Sequence, residues 1–474
     1  MKVDFSKRAG LFLGCFGLAL TLTACGDAEH SSSPTKTSAA QVDCLPQGVA
    51  PREASARTAD GRIRVYLDAS LSMAGYAQAQ SQDLRPLGDV LAMIPTAAAG
   101  KVQYVAFGRT LKSIASEAAR GYASPAPYRC SDKPGCDNLE SRIDLVLQDI
   151  QRSPPDALSV VVTDLWLSSG AVVGSPQVAL GGPLSAMLTE GRAVGVVGLR
   201  APYSGAVYDL PNGGKYEGAR ERPLFLLLVG PEKAVTQFIS KMLDGGSPAF
   251  AADRFKYSLF SRASASAWRA GAATPLKVTS VGVTAGAAVP APTLSHLRQY
   301  RVQLGQMKAS GGGVEGEFDA ARAVPRGAVW QGPLKARTHV WLLKNDGALR
   351  RCAGDTWSDY GALNGAWAPV NGSPTAAKFS LNANSASGLT AGRTYLVATY
   401  LGSAGISTPN PAAAWMRAWS FDSGDAAAVV AKRPTFFPVL NLGDIASIME
   451  SSLQRATPEG QTTVATALLV KVER

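Results

Sequence analysis

Histidine is scarce in this chain, with three residues in 474 at His30, His296 and His339. None lies near a cysteine pair, which disfavours a zinc site. No Gly-x-Ser-x-Gly elbow is in view, so Ser-His-Asp chemistry lacks both its activating base and its nucleophile turn. Lys/Arg runs interleaved with aromatics are also missing, which argues against nucleic acid despite a net charge of +11. No internal repeat is found. The one long apolar run, "AGLFLGCFGLALTLTA", is too short and too early for a membrane span. Charged residues make up 18% and apolar residues 46%, the composition of a globular protein, and 474 residues suffice for two to three domains.

What that apolar run does provide is a targeting segment. Lys2, Lys7 and Arg8 precede it, and it ends in Leu22-Thr23-Ala24-Cys25. The ending resembles the bacterial lipobox, which implies cleavage after residue 24 and a lipid on Cys25. Gly26 rather than Asp follows, so the expected location is the cell envelope, on the outer membrane and facing the periplasm. Residues 25–58, with "SSSPTKTSAA", read as a flexible tether. The remaining basic charge suits anionic partners or phospholipid headgroups, or is simply that of a soluble envelope protein. Cys15 leaves with the signal, so Cys44, Cys130, Cys136 and Cys352 remain, an even number in an oxidising compartment. Cys130 and Cys136 bracket a short loop and are the expected pair, leaving Cys44 for Cys352.

From about residue 62 strand and helix patterns alternate. "IRVYLDAS", "KVQYVAFG", "LSVVVTDLW", "AVGVVGL" and "RPLFLLLVG" read as strands, the later ones apolar throughout and hence buried on both faces. Between them, "DLRPLGDVLAMIP", "NLESRIDLVLQDIQ", "GGPLSAMLTEG" and "PEKAVTQFISKML" read as helices. In the second of these, Leu139, Ile143, Val146, Leu147 and Ile150 share a face. The fourth has Pro231 in its first turn. The expectation is an α/β fold over residues 59–248, a doubly wound, mostly parallel sheet flanked by helices. Beyond residue 249 the texture is mainly β, as in a sandwich, with turns at Asp346-Gly347, Asn364-Gly365 and Asn371-Gly372 and a late helix in "LGDIASIMESSLQ". Seven of the eight tryptophans fall there, and the set from Trp330 to Trp419 reads either as core or as a carbohydrate-stacking surface.

In a doubly wound sheet, ligands bind beyond the carboxyl ends of the strands. Asp68 and Asp164 each close a strand, and two such carboxylates repel unless something positive sits between them. Ser70 and Ser72 add hydroxyl oxygens. Such a donor set suits Mg²⁺, or Mn²⁺ or Ca²⁺ in its place. The plainer alternative is that Asp68 and Ser70 cap a turn and the next helix.

Asp68-Ala69-Ser70-Leu71-Ser72 resembles the Asp-x-Ser-x-Ser of the von Willebrand factor A (vWA) domain, which opens its metal-ion-dependent adhesion site. Asp164, in "VVVTDLW", falls where that family has an Asp at the end of its fourth main strand. Asp137, in "DNLESRI", stands where the family has a ligating Thr. Leu165 and Trp166 replace the Gly that usually follows the strand-end Asp. The resemblance covers residues 62–245. It implies a metal held by Asp68, Ser70, Ser72, Asp137 and Asp164, a non-enzymatic role, and a protein partner whose acidic side chain completes the metal's shell. Trp166 then either lines a partner groove or belongs to the core, and the 130–136 bridge either braces the Asp137 loop or is a plain staple. The enzyme alternative is a Mg²⁺-dependent phosphohydrolase of the haloacid dehalogenase type with Asp68 as nucleophile, although that family's Asp-x-Asp would need an acid where Ser70 stands.

Overall fold

The computed structural model describes residues 63–474 except 82, 99–100, 131–135, 137, 167–175, 212, 263–275, 290–293, 295–296, 320–325, 330–333, 346–355, 372, 404–407 and 457–461, with Leu45, Pro46 and Val49 before them. Among the described residues the first sheet has seven strands: β1 (Ile63–Asp68), β2 (Val102–Phe107), β3 (Leu111–Ile114), β4 (Leu158–Thr163), β5 (Ala193–Pro202), β6 (Glu221–Gly230) and β7 (Phe255–Phe260). Their spatial order is β3-β2-β1-β4-β6-β5-β7.

The chain is α/β as expected, but the sheet is mixed rather than mostly parallel. β1 runs parallel to β2 and to β4, whereas the β2–β3, β4–β6, β6–β5 and β5–β7 pairs are antiparallel. The cause lies in the connections. A helix, α5 (Pro176–Thr189), carries the chain from β4 to β5 and returns it in the same sense. Between β5 and β6 there is only an irregular excursion closed by a Val207–Tyr216 bridge, so the chain doubles back and β6 enters the slot between β4 and β5. All-apolar strands report burial on two faces and not direction.

Helices cover both faces. On one lie α1 (Ala74–Gln78), α2 (Pro86–Ala98) and α6 (Glu232–Asp244), which bury Val90, Ile94, Val235 and Phe238 against Val65, Leu67 and Leu226. A short α3 (Ser116–Gly121) adjoins β2. The other face carries α4 (Ile143–Arg152) and α5. Ile143, Val146, Leu147 and Ile150 of α4 are buried at helical spacing, each stabilising by about 1.5–3 kcal/mol before chain entropy is charged against it. Leu139 does not share that face: α4 starts at Ile143, and Leu139 is 61% exposed. Pro231 likewise precedes α6 instead of occupying its first turn.

The later chain builds two further large sheets and one two-stranded sheet, and part of it returns to the first. The short strands β8 (Lys277–Val278) and β9 (Val283–Ala285) are followed by β10 (Arg298–Gln303), helix α7 (Leu304–Ser310), β11 (Gly313–Asp319), β12 (Leu334–Leu343), β13 (Trp357–Ala362), β14 (Trp367–Val370), β15 (Ser373–Asn382) and β16 (Thr394–Ser403). After them come α8 (Ala414–Ala418), β17 (Ser420–Phe421), α9 (Ala426–Ala431), β18 (Val439–Leu440), α10 (Leu442–Ala456) and β19 (Thr462–Glu473). Sheets β13-β12-β16-β19-β10-β9 and β14-β15-β11-β8 are antiparallel except at β10–β19, and Val302, Val314, Phe318, Phe379 and Leu468 form a core cluster contributed by both. Residues 255–260 and 410–456, although beyond residue 249, pack with the first lobe. Met416, Leu442, Ile445, Met449 and Leu453 join Leu180, Leu184 and Met187 of α5 in one core. The Trp415 and Trp419 rings lie over Gly198 of β5, so two of the later tryptophans serve the first lobe.

Candidate functional site at the tip of the first sheet

β1 ends at Asp68 because the next amide, Ala69, turns to the Phe107 carbonyl and the chain leaves the ladder. The Asp68 Oδ1 then accepts the Ser70 amide at 2.9 Å, and a single 3-10 turn over Leu71–Met73 leads into α1. That turn sets the Ser70 and Ser72 hydroxyls 3.1 Å apart. Gly75 follows for a packing reason: a Cβ there would stand 2.3 Å from the Tyr203 ring.

Asp68 is buried, and its Oδ2 accepts the Thr163 hydroxyl at 2.6 Å and the Ser141 hydroxyl at 2.8 Å. Burial, followed by the charge of Asp164, pushes its carboxyl up to about 6 against the pull of donors from Thr163 and Ser70. Thr163 comes from the last residue of β4, and Ser141 from the segment just before α4. Leu71 in turn donates its amide to the Asn138 carbonyl, tying the two loops together.

Asp164 is fully buried one residue past β4. Its Oδ1 accepts the Trp166 amide at 3.0 Å. Its Oδ2 lies 3.4 Å from Nη1 of Arg222, and among the described residues it has no hydrogen-bond partner. Leu165 holds φ +50°, a left-handed conformation that costs a branched residue roughly 1–2 kcal/mol and turns the chain just past Asp164.

Arg222, the second residue of β6, is the member that sequence reasoning missed. It is 1% exposed, and its guanidinium sits 4.8, 5.0 and 5.9 Å from the ring centres of Tyr203, Trp166 and Tyr76. Burial works against its charge, while Tyr76, Asp164 and Tyr203 hold the proton on, and the balance is upward. Burial also raises the Tyr76 and Tyr203 hydroxyls, which stay neutral. Nε and Nη2 of Arg222 find no partner among the described residues.

The expected site residues therefore divide. Asp68, Ser70 and Ser72 form one continuous turn, and Asp164 ends the neighbouring strand close enough for its charge to act on Asp68. Asp137 lies outside the described residues, as do Cys25, Cys44 and Cys352. Comparison of the chain with protein-family models, curated proteins and solved structures gave no match. Trp166 is 5% exposed and packs against Phe421 and Phe437, so it belongs to the core. Cys130 and Cys136 form the disulfide expected of them. Among the described residues no three His, Cys, Asp or Glu side chains gather, so any cation here would rest largely on hydroxyl oxygens. No described helix is long and apolar enough to cross a membrane.

Proposed function

We propose that this chain is a lipid-anchored envelope protein whose first lobe is a vWA-like, non-enzymatic adhesion or assembly module. It seats a divalent cation at the tip of β1 and β4 and binds a protein partner through it. The observation that carries this reading is the meeting of the Ser141 and Thr163 hydroxyls at Asp68, on the turn that sets the Ser70 and Ser72 hydroxyls side by side, with Asp164 just past the end of the neighbouring strand. The donor set suits Mg²⁺. Adjacent oxygens in an octahedral shell lie roughly 3 Å apart, which is the separation of the two serine hydroxyls. Asp164 brings a buried carboxylate oxygen that accepts no hydrogen bond among the described residues and faces Arg222 at 3.4 Å, which leaves it capacity to accept from a water. Ser70, Ser72, Asp68 and Asp164 would hold the ion, which supplies a Lewis-acid position that a partner's carboxylate can complete.

The surface around this seat suits a protein partner. Leu71 and Leu139 are large apolar side chains exposed by 41% and 61%, and their loops are joined by the Leu71–Asn138 bond. The exposed Arg129 is bonded to Gln78, the last residue of α1. An acidic side chain flanked by apolar ones would match this face. The phosphohydrolase reading has less support, since its Asp-x-Asp would need an acid where Ser70 stands.

Calorimetric titration of Mg²⁺ or Mn²⁺ into the purified full-length chain tests the proposal. Uptake of one ion, lost in Asp68→Ala while p-nitrophenyl phosphate stays uncleaved, is the expected outcome. An unchanged titration in Asp68→Ala would sink it.

A further inference from the structure

Arg222 is unexplained by a cation seat alone. A guanidinium and a carboxylate that are 1% and 0% exposed, 3.4 Å apart, leave three polar atoms without partners. Removing one member of such a pair is strongly destabilising, because it strands the other charge in the interior. No other described cation is recorded within salt-bridge distance of Asp164. We infer that Arg222 is a resident counter-charge for Asp164: it takes the electrostatic place of a metal ion when none is bound, and a divalent cation at the tip must compete with it for Asp164. The first half of this inference stands on the pair itself, and the second rests on the proposed cation seat.

The chemistry follows from charge. Without Arg222, Asp164 is a buried carboxylate with no described cation beside it, and a buried charge stranded in this way is costly. With Arg222 the tip stays assembled in cation-free protein. Its place among the Tyr203, Trp166 and Tyr76 rings fixes the guanidinium beside Asp164. Arg222 therefore acts on the cation through Asp164, as a positioning residue. It weakens cation affinity and frees the fold from dependence on metal.

The test is a double-mutant cycle of Arg222→Gln and Asp164→Asn in the full-length chain, read by thermal unfolding in EDTA and in millimolar MgCl₂. In EDTA, Asp164→Asn should lower the melting temperature when position 222 is arginine and raise it when position 222 is glutamine. Mg²⁺ should raise the melting temperature of Arg222→Gln more than that of the unmodified chain, and Mn²⁺ should bind Arg222→Gln roughly tenfold more tightly. Additive effects in EDTA would overturn the counter-charge, and equal Mg²⁺ shifts would overturn the competition. Should Arg222→Gln fail to accumulate, Arg222→Lys serves in its place: the charge is kept, so Asp164→Asn must remain destabilising, and a neutral or stabilising result overturns the inference. If neither background takes up Mn²⁺, the adhesion reading and the competition fall together, while the EDTA cycle still decides the counter-charge.

Discussion

Among the described residues, two arginine–carboxylate pairs have a fully buried carboxylate, and they are built differently. Glu450 of α10 is fully buried, yet Arg417 of α8 reaches it with two nitrogens at 2.7 and 3.1 Å, and the Asn410 amide adds a third donor at 3.1 Å. Arg417 keeps 28% of its side chain in solvent. Asp164 and Arg222 are both buried, meet at 3.4 Å, and leave three atoms unpartnered. The first pair closes its own hydrogen-bond account and fastens α8 to α10. The second pair is held open, at a strand end, beside a second carboxylate. Satisfied ion pairs hold structure together, whereas unsatisfied ones mark where something else is accommodated.

The difference can be broken most forcefully at the satisfied pair. Arg417→Ala should strand the Glu450 charge and cost about 3–5 kcal/mol in urea unfolding, with the same loss in EDTA and in MgCl₂. A metal-dependent loss there would erase the contrast. Next in size is Asp68→Asn. With its carboxyl raised to about 6 against an ordinary 3.8, native Asp68 binds more protons than the unfolded chain between those pH values. Asp68 therefore makes stability in EDTA fall as pH rises from about 4 to 6 and level off above, by about 1–3 kcal/mol in all. Asp68→Asn should remove that slope and be at least as stable at pH 7, while losing cation uptake.

Ser141→Ala removes one donor from Asp68 and should cost about 1 kcal/mol at neutral pH, less at pH 4 where Asp68 is protonated. The smallest effect on folding is expected of Leu139→Ser, within about 0.5 kcal/mol, because the side chain is exposed. Under the adhesion reading it should nonetheless weaken capture of an acidic, apolar-flanked partner, measured by Mg²⁺-dependent binding.

Much of the tip was legible in the sequence because its residues announce themselves locally. Asp68 and Asp164 each interrupt an apolar strand, and Ser70 and Ser72 sit on the turn after one of them. Arg222 carries no such mark: at the head of "RPLFLLLVG" it reads as a polar flank, and only the insertion of β6 between β4 and β5 brings it under Asp164. That insertion was itself half visible, since a helix stands between β4 and β5 and none between β5 and β6. Ser141 carries no mark in the vWA resemblance, which points in the same loop to Asp137 as standing where the family has a ligating Thr. The return of residues 410–456 to the first lobe had no local signature, since amphipathic helices do not name the surface they cover.

That return has a consequence for how the polypeptide can be made or cut. The apolar side of α5 stays uncovered until α10 arrives, more than 250 residues later in synthesis. A fragment ending near residue 260 would present that bare surface to solvent and should clump. Experiments on the tip of the first sheet therefore call for a chain that includes α10 and runs on through β19, which sits between β16 and β10.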